Sequence, residues 1–255
     1  MPEYLLKIFV FGIGACIGSF LNVCIYRLPL GKSLVKPASR CPRCERRIRA
    51  WDNIPLLSFL LLRGRCRYCG LSISGRYWLV ELITALAALA VYETAGLTAA
   101  GLFHFIFLAV LIVVVFVDMD YQIIPDVITL PGIVIFFSAA VLTGRLEWMS
   151  SLLGIIVGGG ILYLVALAYW LVKGAEGMGG GDIKLLAMIG AWCGISGVIF
   201  TLLIGSVTGT LVSAVIIIAY RQNLQYRLPF GPFLALGAIG YVFFGPELIH
   251  WYFSL

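Results

Sequence analysis

Eight apolar runs, the longest of them able to cross a bilayer, leave this chain little choice of fold. They cover roughly Leu5–Ile25, Tyr77–Tyr92, Gly101–Val117, Val127–Leu142, Leu152–Val172, Ile183–Cys193, Val198–Tyr220 and Pro229–Phe244. A helix needs about 20 apolar residues to span the hydrocarbon. The composition agrees: 62% of the residues are hydrophobic, 12% are charged, and the mean hydropathy is +1.04. Soluble domains are about half apolar. The expected fold is therefore an all-α polytopic membrane protein with about eight transmembrane helices. Gly12, Gly14 and Gly18 in the first run would let a second helix approach closely. No small-x-small cleavage site follows that run, so it is read as a retained helix.

Charge gives the orientation. Of the 18 Lys and Arg residues, 12 lie between Arg27 and Arg76, in one loop joining the first two helices. Cytoplasmic loops carry such an excess, which puts this loop inside. Alternating sides from there places three further stretches inside: Asp118–Asp126, Lys173–Asp182 and Arg221–Arg227. The short loops with Glu93, Arg145 and Gly194 fall outside, and among the loop cations only Arg145 breaks the rule. Two acidic stretches thus share the cytoplasmic face.

The basic loop holds Cys41-Pro42-Arg43-Cys44 and Cys66-Arg67-Tyr68-Cys69, separated by 21 residues. A Cys-x-x-Cys turn puts two sulfurs on one side of a bend, and two such turns supply four thiolates for a tetrahedral Zn²⁺. A reducing cytoplasm argues against disulfides. Four protein ligands leave no open position, so Cys41, Cys44, Cys66 and Cys69 are expected to hold a structural zinc. Arg46, Arg47 and Arg49 could in principle meet nucleic acid. In a loop tethered at a membrane, anionic lipid headgroups are the expected partner instead.

The acidic stretches are Asp118-Met119-Asp120-Tyr121-Gln122-Ile123-Ile124-Pro125-Asp126 and Gly177-Met178-Gly179-Gly180-Gly181-Asp182-Ile183-Lys184. Ionisable groups at the edge of the hydrocarbon are costly and mark function by default. Two carboxylates held together resist double ionisation, so the pair holds one proton between them. One member can then act as general base on a water while the other donates to a carbonyl. That is aspartic-protease chemistry. Gly179 and Gly181 would allow close approach of a substrate backbone. The plainer reading of Asp182 is a helix N-cap, and that of Asp118, Asp120 and Asp126 a solvated turn. Lys184 could face a carboxylate or flank a helix, Asp126 could position the Pro125 turn, and Glu81 could pair with a loop arginine.

These motifs in combination resemble the bacterial type IV prepilin peptidases, within the Gly-x-Gly-Asp intramembrane aspartyl proteases. Asp118 with Pro125-Asp126 is similar to the family's first aspartate motif, and Gly179-Gly180-Gly181-Asp182-Ile183-Lys184 to its second. Gly18-Ser19-Phe20-Leu21-Asn22-Val23, Tyr26-Arg27-Leu28-Pro29 and the paired Cys-x-x-Cys loop also resemble the bacterial form. The resemblance implies cleavage of the basic leader of type IV prepilins and pseudopilins at the cytoplasmic face of the inner membrane. It implies methylation of the new N-terminus with S-adenosylmethionine as donor. It also assigns the dyad to Asp118 and Asp182, with Asp120 variable.

The expected organisation is a first transmembrane helix (1–26), a cytoplasmic zinc-binding loop associated with methyl transfer (27–76) and a membrane peptidase domain (77–255). No glycine-rich nucleotide loop places the methyl donor. Two alternatives stand beside this reading: a peptidase without methyltransferase activity, and a transporter with a zinc-binding regulatory loop. A transporter would favour repeated halves and charges near the midplane; here the halves do not repeat and the charges gather at one face.

Overall fold

The computed structural model describes residues 2–41, 43–175, 178–220 and 228–253, with backbone only at 220 and 246–253. Gly177, Arg221 and Arg227 lie outside the described residues. The chain is helical, with no named strand among the described residues. Its elements are α1 (Glu3–Arg27), a 3₁₀ turn η1 (Ala50–Asn53), α2 (Leu57–Leu61), α3 (Gly75–Ala95), α4 (Ala99–Tyr121), α5 (Asp126–Leu142), α6 (Trp148–Lys173), α7 (Gly180–Tyr220) and α8 (Gly231–Phe253). Five of these helices are long and apolar enough to cross a membrane, and two shorter apolar helices, Asp126–Leu142 and Gly231–Gly245, accompany them. The chain divides into two compact units, Met1–Val113 and Val114–Leu255.

In the first unit α1 packs along α3. Gly14 and Gly18 make this possible: a Cβ on either would come within 2.8 Å of the α3 backbone, at Ala85 and Glu81 respectively. Gly12 faces open space and plays no such part. Asn22, buried in α1, donates to the Tyr77 carbonyl (3.0 Å) and so ties the end of one helix to the start of the other. Arg27 then closes the start of the loop by donating to the carbonyls of Ser33 (2.9 Å) and Pro37 (2.6 Å).

In the second unit α6, α7 and α8 pack in series, with α5 against α7. The sequence pattern predicts two spans, 183–193 and 198–220. The structure has two helical arms there, together labelled α7, which meet at a kink at Gly194, whose φ of +68° and ψ of −171° are non-helical. The chain doubles back there. Gly181, at the start of α7, lies beside Ile124; Gly205, well past the break, lies against the Phe233 backbone near the start of α8. The start of α8 is itself beside Ile124, so the two arms of α7 share one end.

Such a break frees carbonyls that must be satisfied within lipid. Ser151 donates to the Ala191 carbonyl (2.7 Å) and Arg145 to that of Trp192 (3.2 Å). The Arg145 guanidinium also lies 5.0 Å from the centroid of the Trp192 ring. This gives Arg145 a local reason to break the charge rule: it caps the α7 turn. The first arm of α7 approaches α6 so closely that a Cβ on Gly154 or Gly190 would collide with the other's carbonyl.

Candidate active site and cysteine cluster

The second unit gathers three helix ends at one face. Asp118 lies in the last turn of α4, Asp182 in the first turn of α7 and Gly231 at the start of α8. Ile124 is the hub, because the chain between α4 and α5 folds it inward and buries it. A Cβ on Gly181 would come within 2.9 Å of the Ile124 Cβ, and one on Gly231 within 3.2 Å of its Cδ1. Glycine at both positions lets α7 and α8 close on this residue.

Asp118 is 5% exposed, and its Oδ2 accepts a hydrogen bond from the Gly231 amide at 3.0 Å. The donor is the first N–H of α8, where unpaired amides and the helix dipole favour an anion. Asp182 is half-buried and close enough for its charge to interact with that of Asp118. It is not an N-cap: α7 begins at Gly180, and the Asp182 amide donates to the Gly179 carbonyl (3.2 Å). Gly179 borders the Asp182 carboxylate, since a Cβ there would lie 3.9 Å from Oδ2. The two glycines thus have separate settings, one beside the carboxylate and one on the α4–α5 turn.

Asp120 does not join them; it is exposed. Lys184 pairs with Asp126, donating to both of its carboxylate oxygens at 2.7 and 2.8 Å. That bond links the first turn of α5 to the second turn of α7. Both groups are open to solvent, so the pair stabilises the fold only weakly. Lys184→Ala is expected to lower unfolding stability by less than about 1 kcal/mol in a detergent unfolding titration.

The sequence reading missed Gly231. Its signal is present but faint: Phe230-Gly231-Pro232 stops one pattern and opens another, and proline is well tolerated in a first helical turn. That this amide would face Asp118, 113 residues earlier, could not be read from spacing.

In the first unit the four cysteines converge. Cys41 and Cys69 sulfurs are 3.9 Å apart and those of Cys44 and Cys66 4.0 Å, and all four lie within 4.8 Å of one another. A tetrahedral site with Zn–S bonds of about 2.3 Å has sulfurs about 3.8 Å apart, so the cluster has the dimensions of a zinc centre. The two knuckles are built alike. Cys41 N–H donates to Arg46 and Cys66 N–H to Leu71; Glu45 N–H returns to Cys41 and Gly70 N–H to Cys66. Glu45 (φ 55°) and Gly70 (φ 68°) turn the chain at matching points. Backbone amides of Cys44 and Arg43 pull the Cys41 thiol down to about 6, while Cys69 in the same cluster, against the pull of the Leu71 amide, is pushed up to about 11 by burial and its thiol neighbours. Cys41 is thus the member that most readily offers the thiolate a metal binds.

A clamp braces this module. Arg67, between the second pair of cysteines, donates to both oxygens of Asp52 in η1, at 2.6 to 2.9 Å. That bond holds the Asp52 carboxyl below its ordinary range. Glu81 accepts from the Leu56 amide (2.8 Å), which fastens the loop to the first two turns of α3.

Comparison with known proteins agrees with both halves of this picture. Residues 13–95 match the family described as the bacterial peptidase A24 N-terminal domain, and residues 105–214 the type IV leader peptidase family. The chain is 35% identical to a prepilin leader peptidase/N-methyltransferase of Aeromonas hydrophila, over 98% of this chain and 94% of that one. It is 37% identical to the protein of that name from Pseudomonas putida, over 92% and 90%, and 39% identical to that from Myxococcus xanthus, over 86% and 66%. No solved structure matches. Two neighbouring family matches and identity above a third across nearly the whole length lead to one conclusion: this chain belongs to the type IV leader peptidase family.

Proposed function

We propose that the chain cleaves the leader of type IV prepilins and pseudopilins with Asp118 and Asp182, then methylates the exposed N-terminal amine. The observation that carries the peptidase assignment is the buried Asp118 carboxylate, anchored by the Gly231 amide with Asp182 beside it. In this reading the protein is a multi-pass protein of the bacterial inner membrane, and the aspartates open to the cytoplasm. Counting α7 as two crossings and the two shorter helices as one each gives eight spans.

The chemistry follows from one proton shared by two carboxyls. The ionised member takes a proton from a water held between the pair, and the water oxygen attacks the scissile carbonyl carbon. The protonated member donates to the carbonyl oxygen as that bond opens. When the tetrahedral species collapses, the carbon–nitrogen bond breaks and the leaving amine takes a proton from the dyad. The Gly231 amide holds one Asp118 oxygen, leaving the other to face the substrate. Gly179, with no side chain beside Asp182, leaves room for a peptide backbone.

Cys41, Cys44, Cys66 and Cys69 would hold zinc as a structural centre for residues 27–76, the region assigned here to methyl transfer. S-adenosylmethionine would supply the methyl group. No nucleic acid is invoked: Arg49 and Arg46 stack on Tyr68 at 5.6 and 5.2 Å, which serves the module's own cohesion.

The test is a cleavage assay in lipid with a purified prepilin and methyl donor, followed by mass spectrometry. Loss of the leader, with a further gain of one methyl mass, supports both activities. Leader loss with no methyl gain supports the peptidase alone. No cleavage of several prepilins by folded protein would return the transporter reading. Gly231→Ala tests the anchor. Its Cβ would stand 2.6 Å from Asp118 Oδ2, forcing the carboxylate to move. A shift of about 1 Å at a catalytic group can cost about 100-fold in rate, and that loss is expected in kcat.

A further inference from the structure

One surface of the first unit is unexplained by cleavage or by the cysteine cluster. Trp51, Ile54, Leu57 and Leu60 recur at every third position from η1 into α2, followed by Leu61, and all five are exposed, Leu61 by 82%. The other side of the same segment is satisfied. Ser58 is buried and donates to the Trp51 carbonyl (2.9 Å), and Phe59 packs against Trp78, ring centroids 6.5 Å apart. The apolar stripe is therefore a deliberate face, and an exposed apolar patch of this kind marks an interaction surface.

Its position says what covers it. The stripe is fastened to α3 by Phe59 on Trp78 and by the Leu56 amide on Glu81. α3 begins at Gly75, so Glu81 lies about 9 Å along its axis at 1.5 Å per residue. The apolar run of α3 has already begun at Tyr77. The stripe thus sits level with the entry of α3 into the bilayer, at the depth where amphipathic segments bury their apolar face, about 5–10 Å into the headgroup boundary. Cations flank it. Arg49 lies over the Trp51 ring at 5.5 Å, and Arg63 and Arg65 follow α2, both exposed. A tryptophan under a guanidinium, beside leucines, suits the boundary between anionic headgroups and acyl chains.

We propose that Trp51, Ile54, Leu57, Leu60 and Leu61 form an interfacial anchor that seats the cysteine module on an anionic lipid surface. The module is then held at three places, by α1, by α3 and by the membrane between them. This inference concerns lipid contact alone and stands whether or not the proposed catalysis is correct.

The test uses the full chain in nanodiscs containing phosphatidylglycerol, with acyl chains brominated near the headgroup end. Tryptophan emission of wild type minus that of Trp51→Phe isolates residue 51. The expected result is that bromolipid removes most of this difference signal, whereas aqueous acrylamide barely changes it. Quenching by acrylamide and not by bromolipid would mean the stripe faces water and would overturn the proposal. Protection from both would mean that a protein surface, such as a second copy, covers it, and would overturn it equally. Leu57→Glu with Leu60→Glu gives a second readout: the Trp51 signal should become accessible to acrylamide while the cysteine cluster keeps its zinc.

Discussion

Asp118→Asn and Asp182→Asn are each expected to stop leader cleavage while the protein still inserts and folds. Each substitution keeps the size of the side chain and removes the group that moves a proton. General acid–base catalysis contributes about 10²–10⁴-fold on its own. A dyad acts as one unit, so the double variant should be no slower than either single one. Asp120→Asn is the control: the residue is exposed and should keep nearly full activity. Single-turnover cleavage of a prepilin in lipid measures all four. A fully active Asp118→Asn with an inactive Asp120→Asn would move the first catalytic position by two residues and sink the assignment. In Asp118→Asn the Gly231 amide still finds an acceptor in the asparagine carbonyl oxygen, so a lost rate is not a lost fold.

The second large effect is expected from the cysteines. Cys41→Ser or Cys69→Ser should abolish stoichiometric zinc and leave residues 28–74 open to protease, with helices α1 and α3 still inserted. The loop has little core of its own: Cys41 and Ser58 are among its few buried residues. Structural zinc in such small modules contributes about 10–16 kcal/mol of binding free energy that appears as folding. No other interaction in this loop approaches that, the Arg67–Asp52 clamp included. Elemental analysis of purified wild type should give about one zinc per chain, and limited proteolysis should show the loop cut only after chelation or substitution. A protease-resistant loop in the serine variants would show that it folds by its other contacts.

Much of this protein was legible in its residues because membranes leave few solutions. The apolar runs foretold helices, since no other local structure satisfies the backbone of a short segment in lipid. The Cys-x-x-Cys pairs foretold a four-sulfur cluster because the chemistry needs four ligands at one point, and spacing alone brings two of them together. Asp118 and Asp182 stood out because a carboxylate at the edge of hydrocarbon is costly, although a helix N-cap or a solvated turn would also have accounted for them. The resemblance to a peptidase family rested on the same residues.

Other features depended on contacts between distant parts of the chain. Lys184 could equally have faced Asp182, two residues away; only the packing of α5 on α7 turned it to Asp126. Arg145 is an exception to the charge rule because the break at Gly194 frees the Trp192 carbonyl that it caps. Glu81 gained a backbone partner at Leu56 that no charge pattern could have suggested. Gly231 is the clearest case. A hydrogen bond between an amide and a carboxylate 113 residues apart leaves no trace in local spacing, because the sequence records which groups exist and the fold decides which ones meet. The sequence by itself determined the helical class and the sulfur cluster, and it singled out the two aspartates as candidates, all consequences of local chemistry and solvent. The tertiary structure alone decided how Asp118 is anchored, where Lys184 points and which groups cap the carbonyls at the Gly194 turn, because each depends on helices that only packing brings together.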